Sequence, residues 1–350
     1  MIFKKVSNKE LVEFIRIFNL LLYSKVGITD SLELILKKTG NEYLQQMLKA
    51  IIKDLKAGVS LSKSFSKYPG YFSNIFIANL KVAEETGQIA EVVGDYSNYL
   101  EKIQNLKRKI AQAVRYPVFV LLIAVGVVFF MLFYIIPTFQ SLFTSVKTKL
   151  PDLTQFLMDV SIFCVKNNLI ILLLAMMVGI MIYSISKSKR LKYDILEKVV
   201  WRLPLISTLY LNNLLARFSL SMAILLKSKV GLIDALKISK NVTDNQSFQN
   251  QIDKITRKIV KGESFSSNLE NSKYFDFTFT RLLAAGEESA ELDKVFYIIS
   301  DYYSKQFDYY LESATSLLEP ALILFIGIIV AVILIGLYLP MFDIINYFGV

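Results

Sequence analysis

The sequence contains no histidine and a single cysteine, Cys164, among 350 residues. Without histidine, imidazole acid–base catalysis, histidine-containing triads and histidine ligation of metals are excluded. One cysteine cannot form an intrachain disulfide or a cysteine-rich zinc site. The Gly-x-x-x-x-Gly-Lys-Ser/Thr loop that binds nucleotide phosphates is also missing. These absences predict a protein that is not an enzyme and that has no cofactor and no metal site.

Charged residues are scarce as well, at 20%, whereas 54% of the residues are hydrophobic. An ordinary soluble domain has about 25% charged residues. Three runs carry no charge, at 116–146, 167–186 and 320–342, and each reaches the roughly 20 residues that cross a bilayer as a helix. The composition therefore predicts a membrane protein.

The middle run is the least clear of the three. Its densely apolar part covers only 169–183, and the preceding stretch, 156–165, includes Asp159. A buried or interfacial segment is an alternative to a span here.

The basic residues indicate the orientation. The start of the chain lacks the apolar stretch and cleavage site of a signal peptide, so we expect a cytoplasmic N-terminus. Lys and Arg cluster before the first run, at 102–115, and after the second, at 187–202, whereas only three lysines lie between those runs. Cytoplasmic flanks are enriched in such residues. The net charge of +10 thus indicates anionic lipid headgroups, and we expect no nucleic acid because no binding motif accompanies the charge.

Two parts of the chain repeat one another. Ser-Lys-Val-Gly at 24–27 recurs at 228–231, an offset of 204 residues that becomes 203 after a one-residue gap. Further matched pairs are Asp30 and Asp234, Gly58 and Gly262, Glu84 and Glu287, and Pro117 and Pro320. The repeat covers about 14–139 and 218–342, which include the first and third apolar runs.

Parallel repeats require the chain to cross back between them, and only 167–186 is able to do so. We therefore predict an all-α fold with two tandem cytosolic six-helix bundles and three transmembrane helices. The predicted segments are bundle 1 (1–115), the first transmembrane helix (116–138), an external segment (139–166), the second transmembrane helix (167–186), a basic cytosolic linker (187–217), bundle 2 (218–319), the third transmembrane helix (320–341) and an external tail (342–350).

Local signals place the first helices of bundle 1. Apolar residues at helical spacing from Phe14 predict a helix that ends at Gly27. Asp30 and Glu33 form a capping-box pattern that predicts a second helix opening at Ser31.

Glycines mark the later helix ends. A third helix, 41–57, is expected to stop at Gly58, and Ser60 is expected to cap a short fourth helix. A fifth helix should end at Gly87, and the sixth should run from 88 to 115 without a breaker.

Several of these residues match a known family. They are the Ser-Lys-Val-Gly turns ending in Gly27 and Gly231, Asp30 and Asp234, the Gly58-Val-Ser60 and Gly262-Glu-Ser264 corners, the segments Glu84-Glu-Thr-Gly87-Gln-Ile89 and Gly286-Glu-Glu-Ser-Ala290-Glu-Leu292, Tyr116-Pro117 and Glu319-Pro320. Together they resemble the type II secretion system F family. The likeness departs at Ala83 and Ala290, which stand where the family usually has glycine. Some members have a calcium site, but the residues around Glu101 offer no further carboxylates for one.

The resemblance implies an inner-membrane platform protein of a type II secretion or type IV pilus assembly machine. Its implied partners are a hexameric assembly or secretion ATPase, pilins or pseudopilins, inner-membrane alignment proteins and further copies of itself. The implied localisation is the bacterial cytoplasmic membrane, with the N-terminus inside and the C-terminus outside. A small transporter or channel subunit is the alternative, although the three runs carry none of the charges that mark such pathways.

Two pairs of candidate residues each have two interpretations. Glu84 and Glu287 lie before tight corners, where they could bind free backbone amides of the next helix or contact a partner. Pro117 and Pro320 could simply be tolerated at the lipid boundary, or could let each bundle bend relative to its span.

Overall fold

The computed structural model describes residues 6–139, 151–170, 173, 176, 177, 179, 180, 202–270 and 272–348. Within these ranges the chain is helical and has no strand, which confirms the all-α class. It forms two compact units. The bundle unit comprises Met1–Arg108 and Val200–Asp308, and the span unit comprises Lys109–Val199 and Tyr309–Val350.

Six helices come from the first repeat. They are α1 (Asn8–Tyr23), α2 (Ile28–Lys38), α3 (Glu42–Lys56), α4 (Leu61–Ser66), α5 (Asn74–Thr86) and α6 (Ile89–Phe130). Side chains cap the starts of α1 and α3. Ser7 and Glu10 form a capping box at α1, and the Asn41 side chain accepts from two amides at the start of α3.

The second repeat follows the same plan. Its helices are α8 (Pro204–Lys227), α9 (Leu232–Ser239), α10 (Gln246–Val260), α11 (Phe277–Glu288) and α12 (Leu292–Phe348). A 3₁₀ turn, Ser266–Asn268, stands at the position of α4, and the prediction of two six-helix bundles is not confirmed. The copies share fine detail: Gln45 Nε2 donates to the Thr39 carbonyl at 2.5 Å, and Gln249 Nε2 to the Thr243 carbonyl at 2.7 Å.

Aromatic side chains fill the core of the bundle unit. In the first copy, the Phe65 and Phe72 rings meet edge to face at 4.5 Å, and in the second Phe218 meets Phe248 in the same way at 5.4 Å. The buried apolar residues of both copies form one continuous cluster, and α5 packs on α8 and α9. Burial of this shared surface holds the two repeats together.

The span unit contains the apolar parts of α6 and α12 and a further helix, α7 (Asp152–Lys166). After Phe130, helix α6 passes through a π-helical turn, Met131–Ile135. Ile136, Leu157 and Met158 pack there with two residues of α12.

Three described helices are long and apolar enough to cross a membrane: Ile89–Phe139, Pro204–Lys227 and Leu292–Pro340. The first and third contain the spans predicted from the sequence, and their most apolar windows are only 6% and 17% buried. By contrast, 67% of the Pro204–Lys227 window is buried, because this helix forms the core of the second repeat. We therefore interpret it as a core helix. The predicted middle span, 167–186, lies largely outside the described residues.

Candidate functional site

The Ser-Lys-Val-Gly segment forms the same helix-ending turn in both copies. Lys25 and Lys229 take the left-handed conformation, with φ angles of 60° and 62°. The Val26 amide donates to the Leu21 carbonyl at 3.1 Å, which is the long hydrogen bond of a Schellman motif. Sequence reasoning missed the left-handed residue because lysine does not favour this conformation.

Gly27 and Gly231 have a different role from the one predicted. They are the N-cap residues of α2 and α9, with φ angles of −57° and −60°, which any residue adopts. The prediction that Gly27 ends the first helix is therefore wrong, since α1 ends before Lys25.

The expected capping box in α2 is also wrong. The helix begins at Ile28, and no side chain caps it. Asp30 and Asp234 instead lie in the first turns of α2 and α9, where the helix dipole favours a carboxylate. Asp234 also pairs with Lys237 at 3.2 Å.

Gly58 ends α3 as predicted, and its repeat counterpart Gly262 ends α10 in the same way. Both are left-handed, with φ angles of 81° and 91°, and their amides donate back into the last helical turn at 3.0 and 2.9 Å. Glycine suits these positions because it has no Cβ to clash with the following carbonyl.

Glu84 closes a corner of the first copy by binding the start of α4. Its carboxylate accepts hydrogen bonds from the Leu61 amide and from the amide and hydroxyl of Ser62. The amides thus belong to the preceding short helix, not to the next helix as expected. Ser60 is the N-cap residue of α4, but its side chain makes no capping hydrogen bond, so Glu84 supplies the missing acceptor.

Glu287 builds the same corner in the second copy. Its carboxylate accepts from the Phe265 amide at 2.6 Å, the Ser266 amide at 2.8 Å and the Ser264 hydroxyl at 3.0 Å. Partial burial raises the pKa of Glu287, but hydrogen bonds from Ser266, Phe265 and Ser264 outweigh it, so the pKa lies below its ordinary value.

The turns that follow these glutamates share one backbone shape. Gly87 ends α5 with φ of 74°, and Ala290 after α11 has φ of 56°. The left-handed turn therefore persists where alanine replaces the family glycine. At the other departure, Ala83 is fully buried, while a Cβ on its counterpart Gly286 would meet the Val295 side chain at 2.9 Å.

Pro117 and Pro320 lie inside continuous helices. Helix α6 runs through Pro117 and α12 through Pro320, which confirms that the last bundle helix continues into the membrane helix. Neither arrangement tests whether the prolines permit a bend.

A contact between the two repeats within the bundle unit has no local sequence signal. Lys227 of α8 lies 2.7 Å from Asp95 and 3.4 Å from Glu91, both on α6. Partial burial lowers the pKa of Lys227, but hydrogen bonds and charge interactions with the two carboxylates have the larger effect. The pKa of Lys227 therefore lies above its ordinary value. Asp95 and Lys227 are 132 residues apart, so only the fold brings them together.

This contact borders a cavity of about 760 Å³ lined by residues of α6, α8 and α12. Lys102 and Tyr297 also line this cavity. Lys102 Nζ donates to the Tyr297 hydroxyl at 2.9 Å and lies 4.2 Å from the ring centre. Glu101, around which no calcium ligands were found in the sequence, lies 3.9 Å from Arg16. Among the residues that the structure describes, no group of three or more acidic, histidine or cysteine side chains is arranged to hold a metal ion.

Comparison with known proteins agrees with the repeat. A family model described as type II secretion system (T2SS), protein F, matches the chain twice, at residues 14–137 and 218–340. These two matches confirm the internal duplication inferred from the sequence.

Relatives match nearly the whole chain. A type IV pilus assembly protein PilC of Thermus thermophilus is 30% identical, over 98% of this chain and 84% of the relative. The PilC protein of Pseudomonas aeruginosa is 26% identical, over 99% and 92%. The type II secretion system protein F of Vibrio cholerae is 26% identical, over 97% and 84%. With both repeats matched and the alignments covering almost its full length, the chain belongs to the type II secretion system protein F family.

Proposed function

We propose that this protein is a non-enzymatic inner-membrane platform of a type IV pilus or type II secretion machine. The observation that carries the proposal is the matched pair of repeats, in each of which a bundle helix continues as an apolar membrane helix. The relatives named for type IV pilus assembly and for type II secretion support the same role.

In this role the protein transmits the work of a motor to filament subunits. A hexameric assembly ATPase binds the bundle unit and supplies the nucleotide hydrolysis, for which this chain has no phosphate-binding loop. The spans receive pilins or pseudopilins for extraction into the filament. Helices that run unbroken from bundle to membrane suit this coupling, because one continuous helical backbone links the cytosolic part of each repeat to its span.

The orientation follows the distribution of basic residues. The N-terminus and the bundle unit face the cytoplasm, where the flanking lysines and arginines lie near anionic headgroups. The C-terminus lies outside, and further copies of the chain and inner-membrane alignment proteins complete the platform.

Copurification from native membranes tests the proposal. A tagged chain is cross-linked in cells, solubilised in mild detergent and analysed by mass spectrometry, with an unrelated three-span protein at equal abundance as the control. We expect enrichment of an assembly ATPase, a pilin or pseudopilin and an alignment protein. A deletion strain should also lose filaments or secretion and regain them from a plasmid copy. If none of these partners is enriched and the deletion changes neither output, the proposal is wrong.

The transporter alternative predicts a different result. Purified protein in liposomes would then carry an ion or solute down a gradient. The described spans expose nearly their whole apolar surface, with 6% and 17% of their windows buried, which leaves no enclosed polar path within the described part of a single chain.

A further inference from the structure

Helix α7 has three chemically different sides. One side packs on the two membrane helices of the span unit, a second is apolar and exposed, and a third is polar and exposed. This arrangement says where the helix lies in relation to the bilayer.

The packed side fixes α7 to both spans. Thr154 Oγ1 donates to the Gly336 carbonyl of α12 at 2.5 Å, and Ser161 Oγ donates to the Leu132 carbonyl at 2.5 Å. Leu132 belongs to the π-helical turn, and away from water such backbone carbonyls need internal donors. Leu157 sits so close to Gly336 that a Cβ there would lie 2.3 Å from its Cδ1. Helix α7 is therefore held to the spans by tight packing as well as by hydrogen bonds.

The positions of these contacts along the spans give a depth. Leu132 and Gly336 lie roughly 23 Å beyond Pro117 and Pro320 at 1.5 Å of helix rise per residue. The hydrocarbon core is about 30 Å thick. With the prolines at one boundary of the core, α7 lies close to the opposite boundary.

The exposed surface of α7 carries an apolar strip and a polar strip that both run parallel to the helix axis. At about 100° per residue, Phe156, Val160 and Phe163 form one strip. Phe156 and Phe163 are 61% and 62% exposed. A parallel polar strip consists of Asp152, Gln155, Asp159 and Lys166, which are all exposed. A helix in contact only with water has no reason to expose two phenylalanines on one line.

We propose that α7 is an interfacial helix whose Phe156–Phe163 strip is embedded in lipid acyl chains while its Asp152–Asp159 strip faces the headgroups and water. The apolar strip then adjoins the lipid-exposed surfaces of the spans, and the carboxylates remain hydrated. The sequence prediction of an external segment at 139–166 is changed for this part of it. The proposal depends on the bilayer and not on the pilus or secretion role.

Lipid is favoured over a protein partner by the local surroundings. The spans that α7 touches are little covered by the rest of the chain in their most apolar windows, so lipid acyl chains can reach the surface beside α7. The apolar strip is also narrow and has the carboxylates of Asp152 and Asp159 along one side, which suits the boundary between hydrocarbon and water.

Site-directed spin labelling tests the placement. The only cysteine, Cys164, lies in α7, so Cys164→Ser provides the background. Phe156→Cys and Phe163→Cys report on the apolar strip, and Gln155→Cys and Asp159→Cys are matched controls on the polar strip. The labelled full-length chain is placed in liposomes of phosphatidylcholine and phosphatidylglycerol. Collision with oxygen, which concentrates in lipid, is compared with collision with a water-soluble nickel complex.

We expect the oxygen-to-nickel ratio to be several-fold higher at the phenylalanine positions than at the controls. Equal access of nickel to both strips would overturn the proposal, because α7 would then lie in water. Protection of the phenylalanine positions from both reagents would also overturn it, because protein would then cover the strip.

A second measurement avoids the spin label. Phe163→Trp and Asp159→Trp are each made in a Trp201→Phe background, since Trp201 is the only tryptophan. Brominated phospholipids should quench the fluorescence at position 163 strongly and at 159 weakly. Equal quenching at the two positions contradicts the proposed sidedness.

Discussion

The hydroxyl of Tyr116 donates a hydrogen bond to Oε1 of Glu319 at 3.3 Å. These residues are 203 apart, which is the offset between the repeats in this part of the chain, and each directly precedes a proline. The two copies therefore touch within the span unit at equivalent positions. The duplication is thus a spatial relationship as well as a sequence pattern.

A double-mutant cycle measures this contact. Tyr116→Phe and Glu319→Gln should each destabilise the span unit slightly, and the double variant should lose less than the sum. Both side chains are exposed, so we expect a coupling of about 0.5–1 kcal/mol. Unfolding by SDS in mixed micelles gives the free energies, with Tyr134→Phe as the control for loss of a hydroxyl. Strict additivity of the two substitutions would show that the contact contributes nothing.

Substitution of the boundary prolines tests the proposed bend. Proline inside a helix removes one backbone hydrogen bond, so Pro117→Ala and Pro320→Ala should stiffen α6 and α12 and raise stability by about 1–3 kcal/mol. If the prolines allow movement, the double variant should assemble but support fewer filaments or less secretion. Pro340→Ala, farther along α12, is the control for a helical proline. Normal output from a normally assembled double variant would leave the prolines as tolerated residues only.

The Glu287 corner should make stability dependent on acid pH. Because its pKa in the folded protein lies below the ordinary 4.5, ionised Glu287 stabilises the fold above that pH, and this stabilisation is lost as pH falls through the lowered pKa. Glu287→Gln should lower the unfolding free energy at neutral pH by about 1–2 kcal/mol. The gap between variant and wild type should then close below pH 4.5.

Glu288→Gln is the matched control, because Glu288 is the exposed neighbour on the same helix. Thermal unfolding in detergent between pH 3 and 8 provides the comparison. A gap for Glu287→Gln that does not change with pH would contradict the capping role. Loss of copurified ATPase with unchanged melting would instead favour the partner-contact interpretation.

Local features of the fold were predictable where one residue type strongly prefers a particular backbone conformation. Gly58 ended its helix as expected because glycine readily takes positive φ, and its counterpart Gly262 has the same conformation. Lys25 takes the same shape without such a preference, so the end of α1 was misplaced. The turn is imposed by the Schellman hydrogen bonds and the packing around it, which a single residue identity does not show.

Long-range features were predictable only through the repeat. The pairing of Glu84 with Glu287 indicated matching corners, but both interpretations considered only nearby or external partners. The backbone amides that donate to these two carboxylates lie about 22 residues earlier in the chain. The pairing of Lys227 with Asp95 links different helices of different copies. Such contacts depend on how helices pack, and helical periodicity gives the buried side of a helix but not its neighbour.

The same left-handed turn is occupied by glycine at Gly87 and by alanine at Ala290, so the effect of swapping glycine and alanine can be measured at both positions of one chain. An L-residue in this conformation costs about 1–2 kcal/mol relative to glycine, partly offset because glycine gains freedom in the unfolded state. Ala290→Gly should therefore stabilise the bundle unit by about 0.5–1 kcal/mol, and Gly87→Ala should destabilise it by a similar amount.

A substitution in α11 serves as a steric control for the swaps at Gly87 and Ala290. Gly286→Ala places a Cβ 2.9 Å from the Val295 side chain, so it should destabilise the unit by about 1–3 kcal/mol through overpacking, and Val295→Ala should restore part of the loss. Chemical denaturation of the detergent-solubilised chain, followed by circular dichroism, measures all four variants. If Ala290→Gly proved destabilising, the left-handed conformation of Ala290 would not be a source of strain. The turn would then depend on contacts of the alanine methyl group.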